Sequence, residues 1–236
     1  MAKTVWTVCR STAKCVVFRA LGVIHKLNWR AGRSSISVLL TFDDGPHPDV
    51  TPGVLDLLKK YDALAVFFVV GNRIPFAPDL LARISAEGHL IGNHSFEHWL
   101  GRPPWPLGYV RDVQKCQEVI EALTGQRPRL FRPPLGGVSV ASWLAARVSG
   151  LSLVHWSLDS GDWRLRRQDD AAARGEELSR LVSDKDIILF HDDNPCVLRV
   201  LDVLLPSLKA QGFDMHSPVK HLNPASHHGQ YDATVA

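Results

Sequence analysis

Residues 36–46 read Ile36-Ser37-Val38-Leu39-Leu40-Thr41-Phe42-Asp43-Asp44-Gly45-Pro46. The β-favouring, apolar run over 36–42 stops at an Asp-Asp-Gly-Pro turn signature, the pattern of a buried strand entering a loop. Directly after it, Thr51 reads as an N-cap with Pro52 at the first helical position, and Val54, Leu55, Leu57, Leu58 and Tyr61 recur at helical spacing. A strand is therefore followed by a helix.

Outward from this unit the alternation repeats. Apolar runs predict strands over 64–70, 89–91, 130–131, 151–156 and 186–190. Helical spacing predicts helices over 78–87, 107–120, 140–148, 170–182 and 197–210, with Gly88 and Gly125 as stops. Such alternation indicates α/β architecture with parallel strands, either a barrel or an open doubly wound sheet. From about residue 217 the chain is rich in His, Pro, Ser and Gly and has no periodic apolar face. This predicts a flexible tail over 217–236 with His227 and His228 solvated. An N-terminal extension over 1–35 and one domain over 36–216 complete the expected organisation.

A chain of 236 residues, 45% of them hydrophobic, can bury one substantial core without disulfides or a structural metal. Its 27 basic and 24 acidic residues leave a formal charge of +3 spread along the sequence, so nothing indicates a nucleic-acid partner. Cys9, Cys15, Cys116 and Cys196 form no CxxC pair and read as free thiols. Lys3, Arg10 and Lys14 precede an apolar stretch over 15–24, but Arg19 interrupts it and no small-residue cleavage site is evident. No secretory signal is assigned, and the expected location leans to the cytoplasm. A membrane association of 15–24 stays open; no other run approaches the ~20 apolar residues of a transmembrane helix.

In parallel β/α folds, reactive groups gather on loops at the carboxyl ends of strands. After the first strand stand Asp43 and Asp44, whose mutual repulsion calls for a cation or basic group nearby. An ordinary Asp-Gly turn is the plain alternative. The third strand leads into Gly92-Asn93-His94-Ser95-Phe96-Glu97-His98, and the two histidines share a face if this segment is helical. Two imidazole nitrogens plus one carboxylate oxygen leave positions open for water and substrate, as a catalytic metal requires. The second carboxylate is then spare to act as a base; solvated histidines are the alternative. Later strand ends bear Phe131-Arg132-Pro133-Pro134-Leu135-Gly136, the run from Trp156 through Asp159 and Asp162 to Trp163, and Leu189-Phe190-His191. Singly, these also suit a rigid turn, a core tryptophan and a polar strand end.

In order and spacing, the five segments resemble the motif series of the NodB-homology polysaccharide deacetylases, carbohydrate esterase family 4, over about residues 36–215. The resemblance implies an irregular (β/α)7 barrel. It also implies a divalent cation on Asp44, His94 and His98, zinc by default, with Co2+, Fe2+, Mn2+ or Ni2+ suited to the same donors. Asp43 would be the general base, held by Arg132, and His191 the general acid, oriented and charged by Asp162. A backbone N–H at Leu135 would face the oxyanion, with Trp163 and Leu189 around the acetyl methyl. The implied reaction is hydrolysis of an N-acetyl group on a glycan, oligosaccharide or glycolipid containing N-acetylglucosamine, with release of acetate.

The chain departs from the family pattern at Leu135, usually Tyr, at Trp99, frequently Pro, and at Asp193, commonly Gly. No reacting group is removed by these changes. Two other functions suit the same pattern: an amidase acting on a non-sugar acetylated amine or cyclic imide, and a carbohydrate-binding protein without turnover. The second is expected to have lost the base, a ligand or the acid, whereas Asp43, Asp44, His94, His98 and His191 are all present. No accessory carbohydrate-binding module is visible, so the glycan is not specified.

Overall fold

The computed structural model of the chain describes residues 22–27, 36–99 and 106–222. Seven parallel strands form one curled sheet: β1 Val38–Asp43, β2 Ala65–Val69, β3 Leu90–Asn93, β4 Leu130–Phe131, β5 Ser152–Leu153, β6 Leu158–Asp159 and β7 Asp186–His191. Their order is β5-β4-β3-β2-β1-β7-β6. The intervening helices are α1 Thr51–Tyr61, α2 Pro78–Ala86, α3 Pro106–Thr124, α4 Val140–Val148, α5 Gln168–Leu181 and α6 Cys196–Ala210, followed by α7 Ser217–Leu222. Of the two architectures that alternation allows, this is the barrel, in its irregular seven-stranded form.

Successive side chains of a strand point to opposite faces, and that alternation builds two apolar layers. On β1, Val38, Leu40 and Phe42 pack with the helices, Phe42 stacking on Phe67 and Phe190 at 5.0 and 5.4 Å. Leu39 faces the other way and meets Val66, Phe68, Leu130, Val154 and Ile187 inside the barrel. Both faces of β1 are thus buried, which is why the strand reads as an unbroken apolar run. Leu27 and Val219 join the inner layer and close its amino-terminal end.

Those two residues mark where the expected boundaries shift. Residues 22–27, assigned to the extension, belong to the domain: Ile24 donates to Leu153 O (2.9 Å) and accepts from His155 N–H (2.7 Å), and Leu27 N–H reaches Lys185 O (3.1 Å). Val23 and Leu27 are only 5% and 6% exposed. An unpaired edge on β5 is costly to leave open, and this segment covers it. Helix α7 likewise occupies the start of the expected tail, where Asp214 Oδ1 accepts the N–H groups of His216 and Ser217, both at 2.9 Å. Six residues are too few for its apolar period to stand out.

Other differences are local. Strand β6 is two residues long, below what periodicity detects, and β5 is confined to Ser152–Leu153, with Val154 N–H still donating to Phe131 O of β4 at 2.9 Å and bridging Ile24 on its other side. Thr51 is the first residue of α1 rather than its cap, and its hydroxyl accepts the His47 N–H at 2.8 Å. Cys116 and Cys196 are free and buried. Cys9, Cys15, residues 15–21, His227 and His228 lie outside the described residues. No described helix is long and apolar enough to cross a membrane.

His89, just before β3, accepts the Ala65 N–H on Nδ1 at 3.2 Å and so is neutral, and burial pushes its pKa down to about 4. The unfolded chain protonates this side chain near its ordinary value of 6.5, so it takes up more protons than the fold between the two values. Its contribution to stability is complete above that ordinary value and is lost as pH falls toward 4. His89→Gln should remove up to about 3 kcal/mol of acid sensitivity, read as a smaller difference in urea midpoint between neutral and mildly acidic buffer.

Candidate active site

The carboxyl ends of the strands surround a cleft of about 760 Å³. Asp43 ends β1 and His191 ends β7, and the two are register partners on adjacent strands. Asp44 follows in a left-handed conformation (φ 72°), with Oδ1 2.9 Å from His98 Nε2 and 3.6 Å from His94 Nε2. His94 and His98 are not on a helical face. Ser95 and His98 are left-handed (φ 68° and 47°), and the loop is held by the Asp112 carboxylate, which accepts the N–H groups of Phe96 and Glu97 at 3.0 Å. Ser95 Oγ accepts the His98 N–H at 3.1 Å, and the two rings come within 5.0 Å.

Asp44 Oδ1 is buried without a hydrogen-bond partner, and the donor atoms of Asp44, His94 and His98 lie within 4.8 Å of one another. His94 Nδ1 donates to Arg132 O at 2.6 Å, which leaves the Nε2 lone pair facing Asp44. Burial pushes the His94 pKa down, against Asp43 and Asp44, which raise it. At Asp44 burial favours the protonated acid, but His98, His94 and His191 outweigh it and hold the carboxyl well below the usual carboxylate range. An orphaned anionic oxygen facing imidazole nitrogens is a donor set that fits a divalent cation.

Arg132 is fully buried. Its Nη1 donates to Asp43 Oδ1 (2.7 Å) and Thr41 Oγ1 (2.8 Å), its Nη2 to His155 O (3.1 Å), and the guanidinium lies 4.3 Å from the Phe68 ring centre. On the other side, His191 Nδ1 lies 2.9 Å from Asp162 Oδ1, and its backbone N–H donates to Asp162 Oδ2 at 2.8 Å. Burial opposes the imidazolium charge, but Asp162, then Asp43 and Asp44, raise the His191 pKa to about 10. Asp162 is fixed in turn by Ser160 Oγ–H (2.8 Å) and Trp163 N–H (2.9 Å).

All ten expected site residues therefore meet at one cleft or directly behind it. Leu189 is buried in its wall, Trp163 is 44% exposed at its edge under the Arg164 guanidinium, and Leu135 is 72% exposed in a left-handed turn (φ 57°). The next residue, Gly136, lies so close to the Trp156 indole that a Cβ there would come within 2.4 Å of it. Sequence reasoning missed Thr41, Asp112, Trp156 and Asn194, whose Nδ2 donates to Asp162 O at 2.8 Å. Thr41 was detectable, since it shares the inward side of β1 with Asp43. Asp112 had no local signal, because it acts 15 and 16 residues away on another element.

The family model for polysaccharide deacetylases matches residues 30–154. The chain belongs to that family. The peptidoglycan-N-acetylglucosamine deacetylase PgdA of Listeria monocytogenes is 36% identical over 177 residues, 75% of this chain and 37% of that protein. This polysaccharide deacetylase family member thus spans well under half the length of that relative. A chitooligosaccharide deacetylase of Bradyrhizobium is 32% identical over 76% of this chain and 88% of its own. Among solved structures, the peptidoglycan deacetylase PdaC from Bacillus subtilis superposes with a TM-score of 0.71 at 31% identity, covering 80% of this chain and 92% of that one.

Removing the guanidinium leaves the Asp43 carboxylate buried and unpaired. Arg132→Met should therefore destabilise the protein by about 3–5 kcal/mol in urea unfolding. A loss well under that size would mean that Asp43 finds another partner or water.

Proposed function

We propose that the protein hydrolyses the N-acetyl group of N-acetylglucosamine units in a glycan, releasing acetate, with a divalent cation held by Asp44, His94 and His98. The observation that carries this reading is the orphaned Asp44 oxygen facing two imidazoles, with Asp43 and His191 in register beside it. When bound, the cation supplies Lewis-acid chemistry, lowering the pKa of water and polarising the acyl oxygen. Zinc is the first candidate on donor type.

Asp43, aimed by Arg132, takes the proton from the attacking water. As the carbonyl carbon becomes tetrahedral, the Leu135 backbone N–H supports the oxyanion. The C–N bond breaks when the His191 imidazolium gives its proton to the departing amine. Asp162 keeps that imidazole charged until this step. Trp163 and Leu189, both in the wall of the cleft, bound the space for the acetyl methyl. The name of the PgdA relative, a peptidoglycan-N-acetylglucosamine deacetylase, supports that sugar as the unit acted on.

Acetate should be released from N-acetylglucosamine oligomers or peptidoglycan by zinc-loaded protein, and Asp43→Asn should lower kcat about 10²- to 10⁴-fold. Turnover that survives both Asp43→Asn and metal removal would sink the mechanism; acetate only from a non-sugar amine would redirect it to an amidase. The acid makes a separate prediction about pH. His191 works while protonated, so activity falls as pH rises through its pKa, which the Asp162 carboxylate raises to about 10. Asp162→Asn should move the basic limb of the kcat/KM profile to lower pH, and an unmoved limb would exclude His191 as the acid.

A further inference from the structure

The turn after β2 bears none of the proposed reacting groups, yet it touches three of the loops that carry them. Val70 N–H donates to Gly45 O (2.8 Å), Gly71 N–H to Ser95 O (3.0 Å) and Asn72 N–H to Phe96 O (3.0 Å). Arg73 then reaches out with its side chain: Nη1 bonds the backbone carbonyl of Asp44 and, at 3.0 Å, the carboxylate of Asp193, two residues beyond His191. Four consecutive residues therefore tie together the Asp44 loop, the His94–His98 loop and the His191 loop.

From this geometry we propose that Arg73, steadied by Asp193, is a positioning residue for the metal ligands. Asp44 adopts a left-handed backbone, uncommon outside glycine even though Asp tolerates it better than most, so contacts from neighbouring loops help to hold it. The Arg73 bond to the Asp44 carbonyl is such a contact, and it sets which way the adjoining carboxylate faces. On the opposite side, Gly71 lies so close to the histidine loop that a Cβ would come within 2.4 Å of the Phe96 ring. One turn thus fixes both sides of the three-ligand set and the distance between them. Arg73 and Asp193 are half-exposed, so their ion pair adds little to global stability. Its effect is on ligand geometry. Asp193, a departure from the glycine common at this position in the family, gains a role by the same contact.

The proposal rests on the cation-binding reading of Asp44, His94 and His98. Zinc affinity of the full-length, metal-stripped protein, measured by chelator competition, tests it independently of turnover. Arg73→Gln should weaken zinc binding about 10- to 100-fold, as loss of a ligand-orienting contact does, while the thermal midpoint of the metal-free protein stays at the wild-type value. Asp193→Asn should weaken it less, and the double variant should be no worse than Arg73→Gln alone. Wild-type zinc affinity in Arg73→Gln overturns the proposal. If that variant does not fold, Asp193→Asn decides, and undiminished affinity there overturns it equally. Failure of the unaltered protein to bind zinc would instead remove the metal reading, and the positioning role with it.

Discussion

A guanidinium with no access to water dictates much of this architecture. Placing Arg132 inside a barrel costs several kcal/mol of lost hydration, which is recovered only if the chain itself supplies acceptors and a counter-charge. Thr41 and Asp43 from β1 and the carbonyl of His155 after β5 meet that demand, with Phe68 and Trp156 under and beside the planar cation. Burial pulls the Arg132 pKa down and Asp43 opposes it, so each charge is tolerable only because the other is present. The barrel is consequently layered along its axis. Leu39, Val66, Leu130 and Ile187 fill the amino-terminal half, and an ion pair with its acceptors fills the half below the cleft.

Strands and loops divide the work above that layer. Asp43 and His191 sit at the ends of hydrogen-bonded strands, so the sheet register sets their separation. The three proposed ligands are loop residues, Asp44 and His98 left-handed and His94 next to left-handed Ser95, and they depend on caps and tethers for their placement. Rigid placement suits groups that pass a proton between fixed points. Loop placement lets donors converge on one point from different strands, which a pleated surface does not allow.

The same division explains what the sequence disclosed. Parallel strands buried on both faces leave unbroken apolar runs, so β1, β2 and β7 were legible, and strand ends identified where Asp43, Arg132 and His191 belong. Ordered motifs then tied these to His94, His98 and Asp162. Strand β6, with two residues, leaves no periodic trace, and the histidine pair misled because four-residue spacing suggested a helical face where a capped loop exists. Asp112 and Asn194 were invisible for another reason. Each serves backbone groups on a distant element, and nothing in its own neighbourhood records that duty.

The strand-like segment at 22–27 also separates two kinds of boundary. Family similarity begins at residue 30, whereas Val23 and Leu27 are already part of the core and Ile24 occupies the free edge beside β5. Without that segment the sheet would present exposed N–H and C=O groups next to uncovered apolar side chains, the combination that templates pairing between separate chains. Pairing of Ile24 with that edge removes the template, so the segment is part of the sheet although the family model's match starts after it.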